Sequence, residues 1–69
     1  MLTKIKRYFN RRNNEAMFNR LIDFDRVSGH AVFNDGYRLH KVVEYQGGGG
    51  YWFTFDAKTE KLINAMTIK

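Results

Sequence analysis

Sixty-nine residues without a cysteine or a proline allow one small domain and exclude disulfide staples and thiolate metal sites. Six Phe, four Tyr and one Trp must supply the core instead. The net charge of +5 belongs to residues 1–20, where Lys4, Lys6, Arg7, Arg11, Arg12 and Arg20 face only Glu15, while the remainder is neutral. That asymmetry predicts a polyanionic or acidic partner without naming it.

In chain order, Leu2, Ile5 and Phe9 share one helical face at 100° per residue. Met17, Phe18, Leu21, Ile22 and Phe24 form a second stripe almost opposite the first, so one straight helix would have to bury both sides. The polar run Asn10–Asn14 offers a break, with Asn13 or Asn14 capping a new helix whose first turn holds Glu15. The pattern therefore predicts a short basic helix or arm over 3–11 and a main helix over 14–25. In domain terms, 1–13 is a basic arm and 14–69 a helix-plus-sheet domain.

Val27-Ser28-Gly29 is expected to end the helix, and His30–Phe33 reads as a strand. Asp35-Gly36 predicts a tight hairpin that pairs 34 with 37 and 30 with 41. The strand 37–46 alternates, with Tyr37, Leu39, Lys41, Val43 and Tyr45 on one face and Arg38, His40, Val42, Glu44 and Gln46 on the other. Gly47–Gly50 reads as a mobile hairpin tip, because a phosphate loop would need Gly-Lys-Ser/Thr and a following helix. Tyr51–Asp56 is an aromatic strand with Tyr51, Phe53 and Phe55 opposite Trp52 and Thr54; Leu62–Ile68 closes the sheet with its faces ambiguous. The expected fold is α+β, an N-terminal helix on a four-stranded antiparallel meander.

The run Phe55-Asp56-Ala57-Lys58-Thr59-Glu60-Lys61-Leu62 resembles the Asp-Ala-x-Thr-Gly-Lys hairpin of small helix-plus-sheet modules, PepSY-type domains among them. The likeness covers eight residues, puts Glu60 where such hairpins carry glycine, and assigns no family.

Two candidate binding surfaces emerge. The first is the basic arm: Lys4, Lys6, Arg7, Arg11 and Arg12, with Tyr8 and Phe9 available to stack. Its bland alternative is a solvated helix that docks Leu2, Ile5 and Phe9 on the domain. A bilayer-surface role ranks lowest, since three apolar residues bind weakly. The second surface is the outer sheet face with Arg38, His40 and Trp52, which one helix cannot cover. Its bland alternative has the arm folding back over Trp52.

Catalysis is disfavoured. The hairpin register puts His30 and His40 on opposite faces, against a shared metal or acid–base site, and so small a body leaves little pocket volume. No cofactor or metal is expected. No stretch is apolar enough to span a bilayer, and Asn10–Glu15 is too polar for a signal core, so the chain is expected to be cytoplasmic.

The expected function is a non-enzymatic binding protein that modulates or inhibits a nucleic-acid-associated target. Its make-up resembles small phage-encoded proteins that disable a host enzyme or immune complex. Direct nucleic-acid binding and self-assembly, for example as a homodimer, are the alternatives. The residues favour a protein partner, with nucleic acid possible.

Overall fold

A computed structural model describes residues 2–69: helix α1 (Leu2–Leu21), a 3-10 turn (Phe24–Arg26), and strands β1 (Val27–Asn34), β2 (Arg38–Tyr45), β3 (Gly50–Asp56) and β4 (Leu62–Ile68). The strands form one antiparallel sheet in the order β1-β2-β3-β4, an open meander with the helix on one face. Val43, Phe53 and Phe55 from the central strands and Ile22 from just past the helix are buried, with Phe53 fully enclosed. Phe18 meets Phe53 and Phe55 edge-on, at centroid distances of 5.0 and 6.0 Å.

The break expected at 10–14 is absent, and α1 runs unbroken through the segment. Asn14 caps nothing. It is buried, and its side-chain amide donates to the Glu60 carbonyl at 2.7 Å, while Asn10 donates to the Thr59 carbonyl at 3.1 Å. Arg7, Asn10, Arg11, Asn14, Met17 and Phe18 therefore form one continuous stripe, polar where it meets the β3–β4 turn and apolar where it meets the sheet. Apolar periodicity is blind to a polar docking seam, so the two halves read as separate helices. Arg7, Asn10 and Arg11 tie the N-terminal half of α1 to that turn.

The C-terminal end of the helix also falls earlier than 25. α1 ends at Leu21, Ile22 N–H still donates to the Phe18 carbonyl, and Val27–Gly29 open β1 rather than terminating a helix. Ile22, 5% exposed, is the buried anchor, whereas Leu21 is 39% exposed.

The β1–β2 connection is longer than the expected two-residue turn. Asn34 pairs with Leu39, and Phe33, not Ala31, lies opposite His40. Asn34 Oδ1 accepts from Gly36 N–H, and Asp35 Oδ1 accepts from Tyr37 and Arg38 N–H at 2.9 and 2.7 Å. These side-chain turns outcompete the tight hairpin by satisfying three backbone donors. The shift is two residues, so strand parity survives and the two histidines still face opposite sides.

The glycine run is structured by necessity. Gly47, Gly48, Gly49 and Gly50 all have positive φ, and a Cβ on Gly50 would stand 1.9 Å from the Val43 carbonyl oxygen.

Candidate functional site

The side of α1 turned away from the sheet carries Leu2, Ile5 and Phe9, at 74, 53 and 55% exposure, with Tyr8 at 57%. The alternative in which Leu2, Ile5 and Phe9 dock on the domain therefore does not describe this structure. The helix docks through the opposite face, as the polar seam requires.

The five arm cations separate by position. Arg7 and Arg11 lie on the sheet side and pair with Glu60 at 3.2 and 2.6 Å, and Arg7 also donates to the Ala57 carbonyl. The Glu60 carboxylate holds the Arg11 guanidinium above its ordinary pKa, first through the hydrogen bond and then through its charge. These two arginines are structural clamps on the β3–β4 turn. Lys4, Lys6 and Arg12 make no ion pair among the described residues, and the Arg12 guanidinium lies 5.8 Å from the Tyr8 ring centroid. On the helical wheel Lys6 and Arg12 flank the Leu2–Ile5–Phe9 stripe on its two sides.

The second surface is the outer sheet face, and no part of the described chain covers it. Register fixes its membership. Ala31, Val42, Trp52 and Met66 are cross-strand partners forming one row, and Phe33, His40, Thr54 and Asn64 form the next. Arg38 and Glu44 occupy the two ends of the same face of β2.

Trp52 is half-buried within an aromatic cluster rather than fully exposed. Its indole N–H donates to His40 Nδ1 at 3.1 Å, Phe33 stacks on the imidazole at 4.7 Å, and Phe33 meets the indole edge-on. Accepting that bond leaves the His40 proton on Nε2, which lies 3.7 Å from an Asp35 carboxylate oxygen. The N–H groups of Arg38 and Tyr37 hold the Asp35 carboxyl below its ordinary pKa. This network fixes the ring positions and presents a preformed surface.

Phe33 and Met66, 45 and 50% exposed, were not assigned to this face by the sequence. Phe33 belongs there by its parity with Ala31. Met66 could not be placed, because a bulge between Thr54 and Phe55 on the β3–β4 ladder shifts the alternation near Leu62 and Ile63.

His30 and His40 lie on opposite faces of the sheet, so they cannot share a ligand. Among the described residues no three His, Asp or Glu side chains converge on one point, and no helix is long and apolar enough to cross a membrane. A groove of about 250 Å³ between α1 and the sheet is lined by Asn14, Phe18, Val32, Leu39, Lys41 and Phe55 and is open to solvent. No protein-family profile, curated protein or solved structure matches the chain.

Proposed function

We propose that this chain is a small non-enzymatic binding protein that modulates or inhibits a nucleic-acid-associated target, with the outward face of α1 as its recognition element. One observation carries the reading: Leu2, Ile5 and Phe9 project as an exposed apolar stripe between Lys6 and Arg12, while the opposite face of the same helix is fastened to the domain. An amphipathic helix presented this way suits an apolar groove with an acidic or phosphate-bearing rim. The sheet's outer face, with Arg38, His40 and Trp52, is the second contact surface. The shallow groove, below the roughly 300–1,000 Å³ of ordinary ligand pockets, favours binding over catalysis.

Direct nucleic-acid binding is the second reading, favoured by the placement of Lys4, Lys6 and Arg12 near exposed Tyr8 and Phe9. The test is affinity capture from a lysate with and without nuclease, comparing the natural chain with Ile5→Ser/Phe9→Ser and with Lys6→Glu/Arg12→Glu. A protein retained after nuclease and lost in both variants supports target binding. Capture abolished by nuclease, and sensitive only to the charge variant, assigns direct nucleic-acid binding. Capture indifferent to both variants overturns the role of the helix.

A further inference from the structure

We infer that the outer sheet face is a self-recognition surface, on which a second copy of this chain packs sheet against sheet about a twofold axis. The inference rests on reading this face as a contact surface and names its occupant.

The argument begins with charge. Along the outer row of β2 stand Arg38, His40, Val42 and Glu44, a cation at one end and an anion at the other. Glu44 has no ion-pair partner among the described residues, and Arg38 has none within salt-bridge distance, its nearest opposite charge being Asp56, its cross-strand partner on β3. A twofold axis lying between two facing sheets, perpendicular to the strands and level with Lys41, sets β2 antiparallel on its copy. Arg38 of each copy then lies over Glu44 of the other, so both charges are paired twice by symmetry.

Size follows the same operator. Lys41 pairs with Val32 and with Phe53, and Phe53 pairs with Ala65, so these four residues mark the level of the axis. Reversal about that level exchanges the two outer rows. Phe33 meets Ala31, Trp52 meets Thr54, Met66 meets Asn64 and His40 meets Val42. Each bulky side chain falls on a smaller one, as interdigitation of two sheets about 10 Å apart requires. The other in-plane axis, parallel to the strands and between β2 and β3, would bring Arg38 to Asp56 but leave Glu44 over Gly50 with no cation, so it pairs one of the two charges where the first axis pairs both. Charge therefore selects the antiparallel arrangement.

Four strands about 4.8 Å apart and seven or eight residues long offer roughly 450 Å² in projection, about 900 Å² over the two faces, which is below the roughly 1,200 Å² of stable interfaces and within the range of transient ones. The dimer is accordingly reversible. It leaves the two copies of α1 on opposite outer surfaces, so recognition by the helices becomes bivalent.

Sedimentation equilibrium over a concentration series of the full chain reads the association, and the single Trp52 provides an internal probe by acrylamide quenching. The natural chain is expected to dimerise in the micromolar range, with Trp52 quenching falling as concentration rises. Arg38→Glu and Glu44→Arg should each weaken association at least about tenfold, since each sets like charges face to face twice. The double swap Arg38→Glu/Glu44→Arg should restore it to within a few-fold. Both positions are exposed, and circular dichroism verifies that each variant is folded. A monomer persisting to about 1 mM overturns the proposal. So does a dimer indifferent to both single reversals, which would place association on another surface such as the β4 edge, and so does a double swap without rescue. None of these readouts involves the helix-face variants, so self-association and target recognition fail separately.

Discussion

The Glu60 carboxylate grips Arg11 at 2.6 Å from a backbone held at φ 60°, a conformation that residues with a side chain rarely adopt. Hairpins that this turn resembles carry glycine at the position. Here the left-handed strain, about 1 kcal/mol for a non-glycine residue, is offset by what the side chain and carbonyl do. The carboxylate pairs with Arg7 and Arg11, and the carbonyl accepts from Asn14. The three contacts fasten the middle of α1 to the sheet.

Glu60 substitutions should accordingly be ordered in a way that separates strain from pairing. Glu60→Ala loses the carboxylate and keeps the strain, whereas Glu60→Gly loses the carboxylate and relieves it. The alanine variant should melt lower than the glycine variant by about 4–8 °C, corresponding to about 1 kcal/mol in a domain of this size. Equal melting temperatures would show that the turn relaxes away from φ 60° when the carboxylate is removed.

The helix end gives a paired test. Ile22→Ala removes a buried side chain beside Val43, Phe53 and Phe55 and should cost about 2–5 kcal/mol. Leu21→Ala, at a position 39% exposed, should cost about 1 kcal/mol or less. Urea midpoints measure both, and the reverse order would mean that the end of α1 is rotated by one residue.

Within the glycine run, steric room rather than φ distinguishes the positions. A Cβ at Gly48 meets nothing within 4 Å, whereas at Gly50 it lies 1.9 Å from the Val43 carbonyl oxygen. Gly48→Ala should cost about 1–2 kcal/mol through its left-handed φ alone. Gly50→Ala should exceed about 4 kcal/mol and leave the chain largely unfolded by circular dichroism. A folded Gly50→Ala protein would contradict the β2–β3 register.

Acid should loosen the two turns that rest on aspartate. The N–H groups of Thr59 and Lys58 hold Asp56 below its ordinary pKa of 3.8, as those of Arg38 and Tyr37 hold Asp35. A carboxyl depressed in the folded state contributes stability that is complete above the unfolded value. That contribution is lost as pH falls below about 4 and through the lower folded value. Asp56→Asn keeps an acceptor oxygen but cannot titrate, so its urea midpoint should vary less than that of the natural chain between about pH 5 and 2. Identical acid profiles would remove Asp56 from the account.

The strands were legible because alternation is local: Leu39, Val43 and Tyr45 on β2, like Tyr51, Phe53 and Phe55 on β3, declare the buried face by position alone. Strand parity also survived the misplaced turn, since a shift of two residues returns every side chain to its own face. The outer position of Trp52, His40 and Arg38 was therefore set by sequence. So was the confinement of net charge to residues 1–20, which is arithmetic on the chain.

Tertiary structure decided what depends on contacts between distant segments. The polar run Asn10–Asn14 reads as a break, with Asn13 or Asn14 as the cap; in the fold the amides of Asn10 and Asn14 instead reach carbonyls of the 56–61 turn, far along the chain. The same contact divides the cations, consuming Arg7 and Arg11 as clamps and leaving Lys4, Lys6 and Arg12 without ion pairs among the described residues. Periodicity records which residues share a face of one helix or strand. Whether that face meets a polar turn, an apolar core or solvent is fixed only when the elements pack.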